Sequence, residues 1–311
     1  MTAKAIIPAL LSALSLLAAT GRADTPPDWV RARLDASLSE YDKGVPFVVL
    51  LDERVTTIKD GGKAEIRSRF IARVLTQEGR VAARREIQYD SQTRISDLHA
   101  WHIRADQKVF ELGSDKVAEE SIADDLYSDV RSKVMRFGEV EIGSVVAFEW
   151  VQKEKPLVNQ DYHLFQGRAP VITGRYQLNL PEGWNVESKV FNHPPVTPVV
   201  AGNSYTWVFE KLPAIKEEPL MPESISLSPF LAVSYYPSLG RATGKSFSSW
   251  QDVSRWADQI MQKPSRDPGA VQVKTMELVR GSRSDEERVR TLARWVQSSI
   301  RYASIQLGAI G

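Results

Sequence analysis

Between residues 45 and 210 the chain alternates apolar and polar side chains with a period of two, and glycine, proline or aspartate interrupts the pattern at short intervals. Residues 63–75 show it best. Ala64, Ile66, Ser68, Phe70, Ala72 and Val74 fall on one side, and Glu65, Arg67, Arg69 and Arg73 on the other, with Ile71 as the exception. Successive strand residues point to opposite faces, so this segment predicts a strand buried on one face and wet on the other, as in antiparallel sheets. Residues 45–58 predict the strand before it, and Asp60-Gly61-Gly62 the turn between them, because glycine takes the positive φ of tight turns. Glu78-Gly79 predicts the next turn. Further strands are expected at residues 81–89, 98–104, 108–112, 133–137, 144–152, 158–165, 170–180, 184–191 and 205–210, with an acidic loop and a helical turn over 113–129. Many short strands with almost no helix between them predict a large antiparallel β-sandwich over residues 24–222.

The flanking segments follow other rules. Residues 29–41 read as a short helix, with Val30, Leu34 and Leu38 four apart and Gly44 and Pro46 ending it. Pro213, Pro219, Pro222, Pro229 and Pro237 argue against a regular ladder or a long helix. Leu220, Met221, Leu227, Phe230, Val233 and Tyr235 then suggest an extended strap on a surface, assigned to residues 223–245. Three helices are expected over residues 246–311. Ser248 or Ser249 caps the first, which carries Trp250, Val253, Ala257, Ile260 and Met261 on one side and stops at Pro264. Asp267-Pro268 opens the second and Gly281 ends it. Ser284 and Glu287 form a capping box for the third, and Asp285, Glu286 and Glu287 suit its N-terminal dipole. Its stripe of Val289, Leu292, Ala293, Val296 and Ile300 must face something. Burying the four larger side chains is worth roughly 1.5–3 kcal/mol each, against ~1 kcal/mol for the cap. The stripe therefore calls for a domain core, and the expectation is that the rest of one lies beyond Gly311.

Composition narrows the chemistry. Of 311 residues, 42% are apolar and 25% charged, so a packed core is expected. A net charge of +1 makes no electrostatic case for nucleic acid or an anionic membrane surface. The absence of cysteine excludes disulfides, thiolate catalysis and sulfur-ligated metals within these residues. Lys4, an apolar run over residues 5–19 and Gly21-Arg22-Ala23 before Asp24 predict a cleaved secretory signal over residues 1–23, hence a periplasmic or secreted protein. No other apolar run is long enough to span a bilayer.

No residue is assigned a catalytic, cofactor-binding or metal-binding role. His99 and His102 stand three apart on a strand and so point to opposite faces. His163 and His193 lack a ligand-like neighbour. The doublets Asp124-Asp125 and Glu217-Glu218 read as solvated loop, with Glu218 a possible strap anchor. Trp101, Trp150, Trp184 and Trp207 fall in strands and Trp250, Trp256 and Trp295 in helices, where core packing accounts for them. Arg84-Arg85 and the Arg67/Arg69/Arg73 row read as a wet strand face. No cofactor is expected.

Three pieces, in order, resemble a family of exported bacterial proteins with an N-terminal domain of unknown function 3857 followed by a transglutaminase-like domain. They are the hairpins at Asp60-Gly61 and Glu78-Gly79, the segment Leu212-Pro213-Ala214-Ile215-Lys216-Glu217-Glu218-Pro219-Leu220-Met221-Pro222, and Ala293-Arg294-Trp295-Val296-Gln297-Ser298-Ser299-Ile300-Arg301-Tyr302. The resemblance implies a β domain followed by the first helices of an α+β, papain-like domain, with a cysteine, histidine and aspartate that lie outside these residues. It implies, as partner, the rest of that domain, and a parent acting on peptide or protein amides. The other reading is a cell-envelope module that recognises protein or glycan.

Overall fold

A computed structural model describes residues 25–38, 44–121, 127–216, 218–238, 246–247, 249–261, 268–300 and 305–306. The signal expected over residues 1–23, Asp124, Asp125, Glu217, Pro264 and Asp267 lie outside them. In chain order the elements are α1 (Asp28–Arg31), β1 (Phe47–Ile58), β2 (Ala64–Val74), β3 (Arg84–Tyr89), β4 (Arg94–Ile103), β5 (Val109–Glu111), β6 (Ala118–Ser121), β7 (Tyr127–Ser128) and β8 (Arg131–Arg136). There follow β9 (Val145–Glu154), β10 (Gln160–Leu164), β11 (Val171–Asn179), β12 (Trp184–Phe191), β13 (Val199–Ala201), β14 (Ser204–Leu212) and β15 (Phe230–Pro237). Last come α2 (Trp250–Met261), α3 (Pro268–Val279), α4 (Asp285–Ser299) and β16 (Ile305–Gln306). The fold is mainly β.

An eight-stranded sheet runs β13-β14-β11-β1-β2-β9-β4-β5. Its pairings are antiparallel as expected except one: β1 and β11 run parallel, with Asp52 beside Gly174 and Arg54 beside Tyr176. Hydrophobic alternation is blind to strand direction, which is why the sequence did not reveal it. Two small sheets, β10-β15-β12 and β3-β8-β6, form the second layer. One core joins all three: Ile66, Phe70, Phe148, Tyr176 and Trp207 from the large sheet meet Ile87 and Met135 from one small sheet and Leu231, Val233 and Tyr235 from the other.

The strap expected at residues 223–245 is corrected. Residues 230–237 are β15, the middle strand of a sheet, hydrogen-bonded to β10 and β12. The prolines bracket this strand instead of interrupting it. Pro229 precedes it and Pro237 is its last residue, where a missing N–H costs least. Glu218 opens a turn in which Met221 N donates to its carbonyl (3.2 Å).

The helix expected over 29–41 shrinks to the four residues of α1. Its Trp29 and buried Val30, with Leu34, Ala36 and Leu38 after it, pack on Leu51, Ile71, Trp101, Ile103 and Ala147 across the outer face of the large sheet. A flat sheet face takes up these apolar side chains without a helix. The same cover explains Ile71, which is fully buried on the otherwise polar side of β2. Gly79 is glycine for a different reason from Gly61 and Gly62, whose φ is positive. Its φ is not positive; a Cβ there would sit 1.8 Å from the carbonyl oxygen of Pro46. Glycine is required by close approach.

The N-terminal capping of α2 and α4 follows their sequence signals. Ser249 Oγ accepts from Asp252 N (3.2 Å) and Ser284 Oγ from Glu287 N (3.2 Å). Glu287 Oε2 accepts from Arg283 N (2.7 Å), one residue before the cap. No residue of α4 is buried, and Val289 is 67% exposed.

Candidate binding site

The inner face of β1 carries polar residues at alternate positions, Asp52, Arg54 and Thr56, where the two-residue rule requires buried side chains. Opposite them, β10 presents Asp161 and His163. Asp161 is a hub. It accepts from Arg54 Nη2 (3.1 Å), Thr56 Oγ1 (3.1 Å), the Tyr176 hydroxyl (2.9 Å) and the Tyr162 backbone N–H (2.8 Å). Burial, with the Asp161 charge adding to it, holds the Tyr176 and Tyr235 phenols well above their usual range. Burial also raises the Glu154 carboxyl; Arg54 opposes this and the Asp161 charge reinforces it. A carboxylate with this many donors is saturated, so the hub ties β1, β10 and β11 together and has no free lone pair aimed at a substrate.

One step along the same strands the polar groups open into a cleft of about 290 Å³ between β1, β2, the turn before β3, and the loop from β10 to β11. Phe47, Val49, Phe70 and Phe165 make its apolar walls, and Asp52, Arg84, Arg85 and Arg168 its charges. His163 Nε2 lies 3.6 Å from Asp52 Oδ1 and is buried without a hydrogen-bond partner. Arg85 is half-buried, its Cζ 3.7 Å from the ring centroid of Phe70 and 5.8 Å from that of Trp150. Its Nε is buried and also without a partner. Desolvation lowers the guanidinium's pKa, opposed by the charge of Asp52. The expectation that Arg84-Arg85 form a wet face is therefore corrected for Arg85, which caps an aromatic ring inside the cleft.

The arginine row on the other face of the sheet is not simply wet either. Glu53 and Glu149 are buried, and around them runs an alternating ladder: Arg175 to Glu53 (3.0 Å), Glu53 to Arg69 (3.2 Å), Arg69 to Glu149 (2.8 Å) and Glu149 to Arg67 (3.1 Å). Cross-strand neighbours from β11, β1, β2 and β9 supply it, a pairing that chain order hides. Arg73 donates instead to the Leu34 carbonyl of the N-terminal arm.

The other candidates are dispersed. His99 contacts Glu111 (3.3 Å) and stacks on Trp101. His102 is buried, with Nε2 3.1 Å from Ser144 Oγ; burial lowers its pKa. That pair has the elements of a nucleophile and base, but Ser144 has no exposed surface. His193 Nδ1 meets the Pro194 carbonyl (2.8 Å). Trp101 and Trp207 are buried, Trp150, Trp184, Trp256 and Trp295 half-buried, and Trp250 is exposed. Among the described residues no group of three His, Cys, Asp or Glu side chains could hold a metal ion. Sequence reasoning missed Asp52, Arg54, Asp161 and the true setting of Arg85. The available signal was polar residues recurring at i, i+2 and i+4 on the buried face of a β-branched strand.

The β body is thus built of strands in two layers, with a cleft lined by apolar walls and four charged side chains. Residues 60–216, half of the chain, match the family model described as "Domain of Unknown Function with solved-structure structure (DUF3857)". The chain belongs to that family. Its fold is similar to that of a Parabacteroides distasonis protein described as a "putative protease", at a TM-score of 0.66 and 15% identity, over 81% of this chain and 50% of that one. This chain thus spans half the length of that protein, and at this identity the likeness speaks for the fold alone. Native leukotriene A4 hydrolase from Saccharomyces cerevisiae aligns at a TM-score of 0.34 and 11% identity, over 68% of this chain and 33% of that one. An M1 zinc metallopeptidase from Deinococcus radiodurans aligns at 0.31 and 12%, over 61% and 42%. Neither likeness carries weight. No curated protein matches the sequence. Among the described residues no helix is long and apolar enough to cross a membrane.

Proposed function

We propose that this chain is the non-catalytic, ligand-binding front of an exported transglutaminase-like protein that acts on peptide or protein amides. The observation that carries the reading is the state of the polar groups in the β body. Asp161, Glu53 and Glu149 are each held by two or more donors, and Ser144 beside His102 is enclosed. Groups so engaged serve architecture, while the Arg85 cleft stays open. The order of family-like segments in the sequence supports the transglutaminase-like part, with α2, α3 and α4 as its first helices. The exposed Val289 and Val296 of α4 are compatible with a partner surface. The leader-like N-terminus supports export to the periplasm or beyond.

The test compares the 311-residue chain with the product of the longer reading frame in which it is proposed to lie, here called the extended product. Incorporation of a fluorescent primary amine into casein, and hydrolysis of peptide amides, are measured for both. The extended product is expected to be active and to lose activity on alkylation of its thiol. Turnover by the shorter chain, or an extended frame without a cysteine, would sink the proposal. Cell fractionation with N-terminal sequencing of the mature protein tests export; an intact Met1 in the cytoplasm would refute it.

A further inference from the structure

The Arg85 cleft carries an inference about what the β body binds, and it rests on the binding reading above. Arginine presents five N–H donors and remains charged, and a guanidinium in a protein interior is normally matched by carboxylates or carbonyls. Arg85 is not. Among the described residues no side-chain hydrogen bond or ion pair engages it; its contacts are the faces of Phe70 and Trp150. Its buried Nε has no partner. The cation–π contact holds the guanidinium over Phe70 in the lining of the cleft, and the desolvated site strengthens any charge-assisted bond formed there.

The surrounding charges decide which anion fits. Arg84 is occupied by Glu86 (2.7 Å) and Glu120 (3.2 Å), and Arg168 is exposed and has interactions of its own. Asp52 lines the same cleft, with His163 behind it. One unengaged arginine facing a fixed carboxylate favours a monoanion; a phosphate dianion would meet Asp52 with twice the repulsion and find too few donors. The planar fork of arginine matches a carboxylate bidentately. The walls, Phe47, Val49, Phe70 and Phe165 among them, are apolar, and about 290 Å³ suits one side chain. We propose that this cleft binds the C-terminal carboxylate of a peptide ending in an apolar residue, with Arg85 holding the carboxylate and the phenylalanines the side chain.

The probe is N-acetylphenylalanine, titrated calorimetrically into the full chain, with tryptophan fluorescence as a second readout because Trp150 adjoins Arg85. N-acetylphenylalaninamide is the neutral control and inorganic phosphate the competing anion. Saturable binding of the carboxylate is expected, at least tenfold tighter than of the amide or phosphate. Arg85→Met should reduce it at least tenfold and Arg85→Lys by less, with circular dichroism unchanged. Should the methionine variant not fold, Arg85→Lys and the amide control still decide. No saturable binding, equal affinity for the amide, tighter binding of phosphate, or full affinity in a folded Arg85→Met would each overturn the assignment. Binding is read without any turnover, so failure here is separate from failure of the transglutaminase-like reading.

Discussion

Replacing Asp161 with leucine removes the acceptor on which three buried or half-buried donors converge. Arg54 loses its counter-ion, and its Nε already has no partner. The hydroxyls of Thr56 and Tyr176, 1% and 0% exposed, lose theirs. The side chains of Arg54 and Asp161 are 24% and 14% exposed, so solvent screens the pair only weakly. Breaking a buried pair from one side costs about 3–5 kcal/mol, because a desolvated charge is stranded. Each orphaned hydroxyl adds about 1–3 kcal/mol before relaxation. Some overlap is certain, since Tyr176 and Thr56 share one oxygen of Asp161. The expected loss for D161L is therefore about 4 kcal/mol. Adding R54M should recover about 2 kcal/mol by removing the stranded charge, so the double variant is the more stable one. Urea unfolding followed by tryptophan fluorescence reads this directly, with Trp207 5.9 Å from Tyr176 as a local reporter. If D161L stays within about 1 kcal/mol of the parent, or R54M deepens the loss, the hub is not the tie between the layers described above.

Four further outcomes follow from the same structure. Glu154→Gln should stabilise the fold at neutral pH: the folded carboxyl titrates above its ordinary 4.5, so the parent gains stability as pH falls through the folded value, and the variant's advantage should vanish below 4.5. Equal stability of the two at pH 7 would contradict this. His102 has the opposite sign: its folded pKa lies below the ordinary 6.5, so the stability it contributes is full above 6.5 and is lost as pH falls through the folded value. His102→Gln should flatten that part of the stability–pH curve, and an unchanged slope counts against the burial argument. Gly79→Ala should cost about 3 kcal/mol or more through the clash with the Pro46 carbonyl, and a melting temperature equal to the parent's would show that the turn gives way. Amide exchange in α4, which has no buried residue, should be faster than in β1, β2 and β9, and equal protection in both would refute the contrast.

The sequence by itself determined what depends on neighbours along the chain. The alternation of β2, the turn at Asp60-Gly61-Gly62 and the caps at Ser249 and Ser284 are local signals, each sufficient for its element. It was silent or misleading wherever the cause lay across the fold. Whether β1 pairs with β11 parallel or antiparallel leaves no trace in periodicity. The prolines of residues 223–237 looked like breakers until β10 and β12 flanked the strand they bracket. Ile71 looked misplaced until the N-terminal arm covered it. Arg85 looked like surface because its neighbour Arg84 is, yet it lies over Phe70 in a cleft that Asp52 and Phe165 also line, from strands and loops apart in sequence. A charge acquires its energy from the dielectric and partners around it, and those are properties of the packed layers alone.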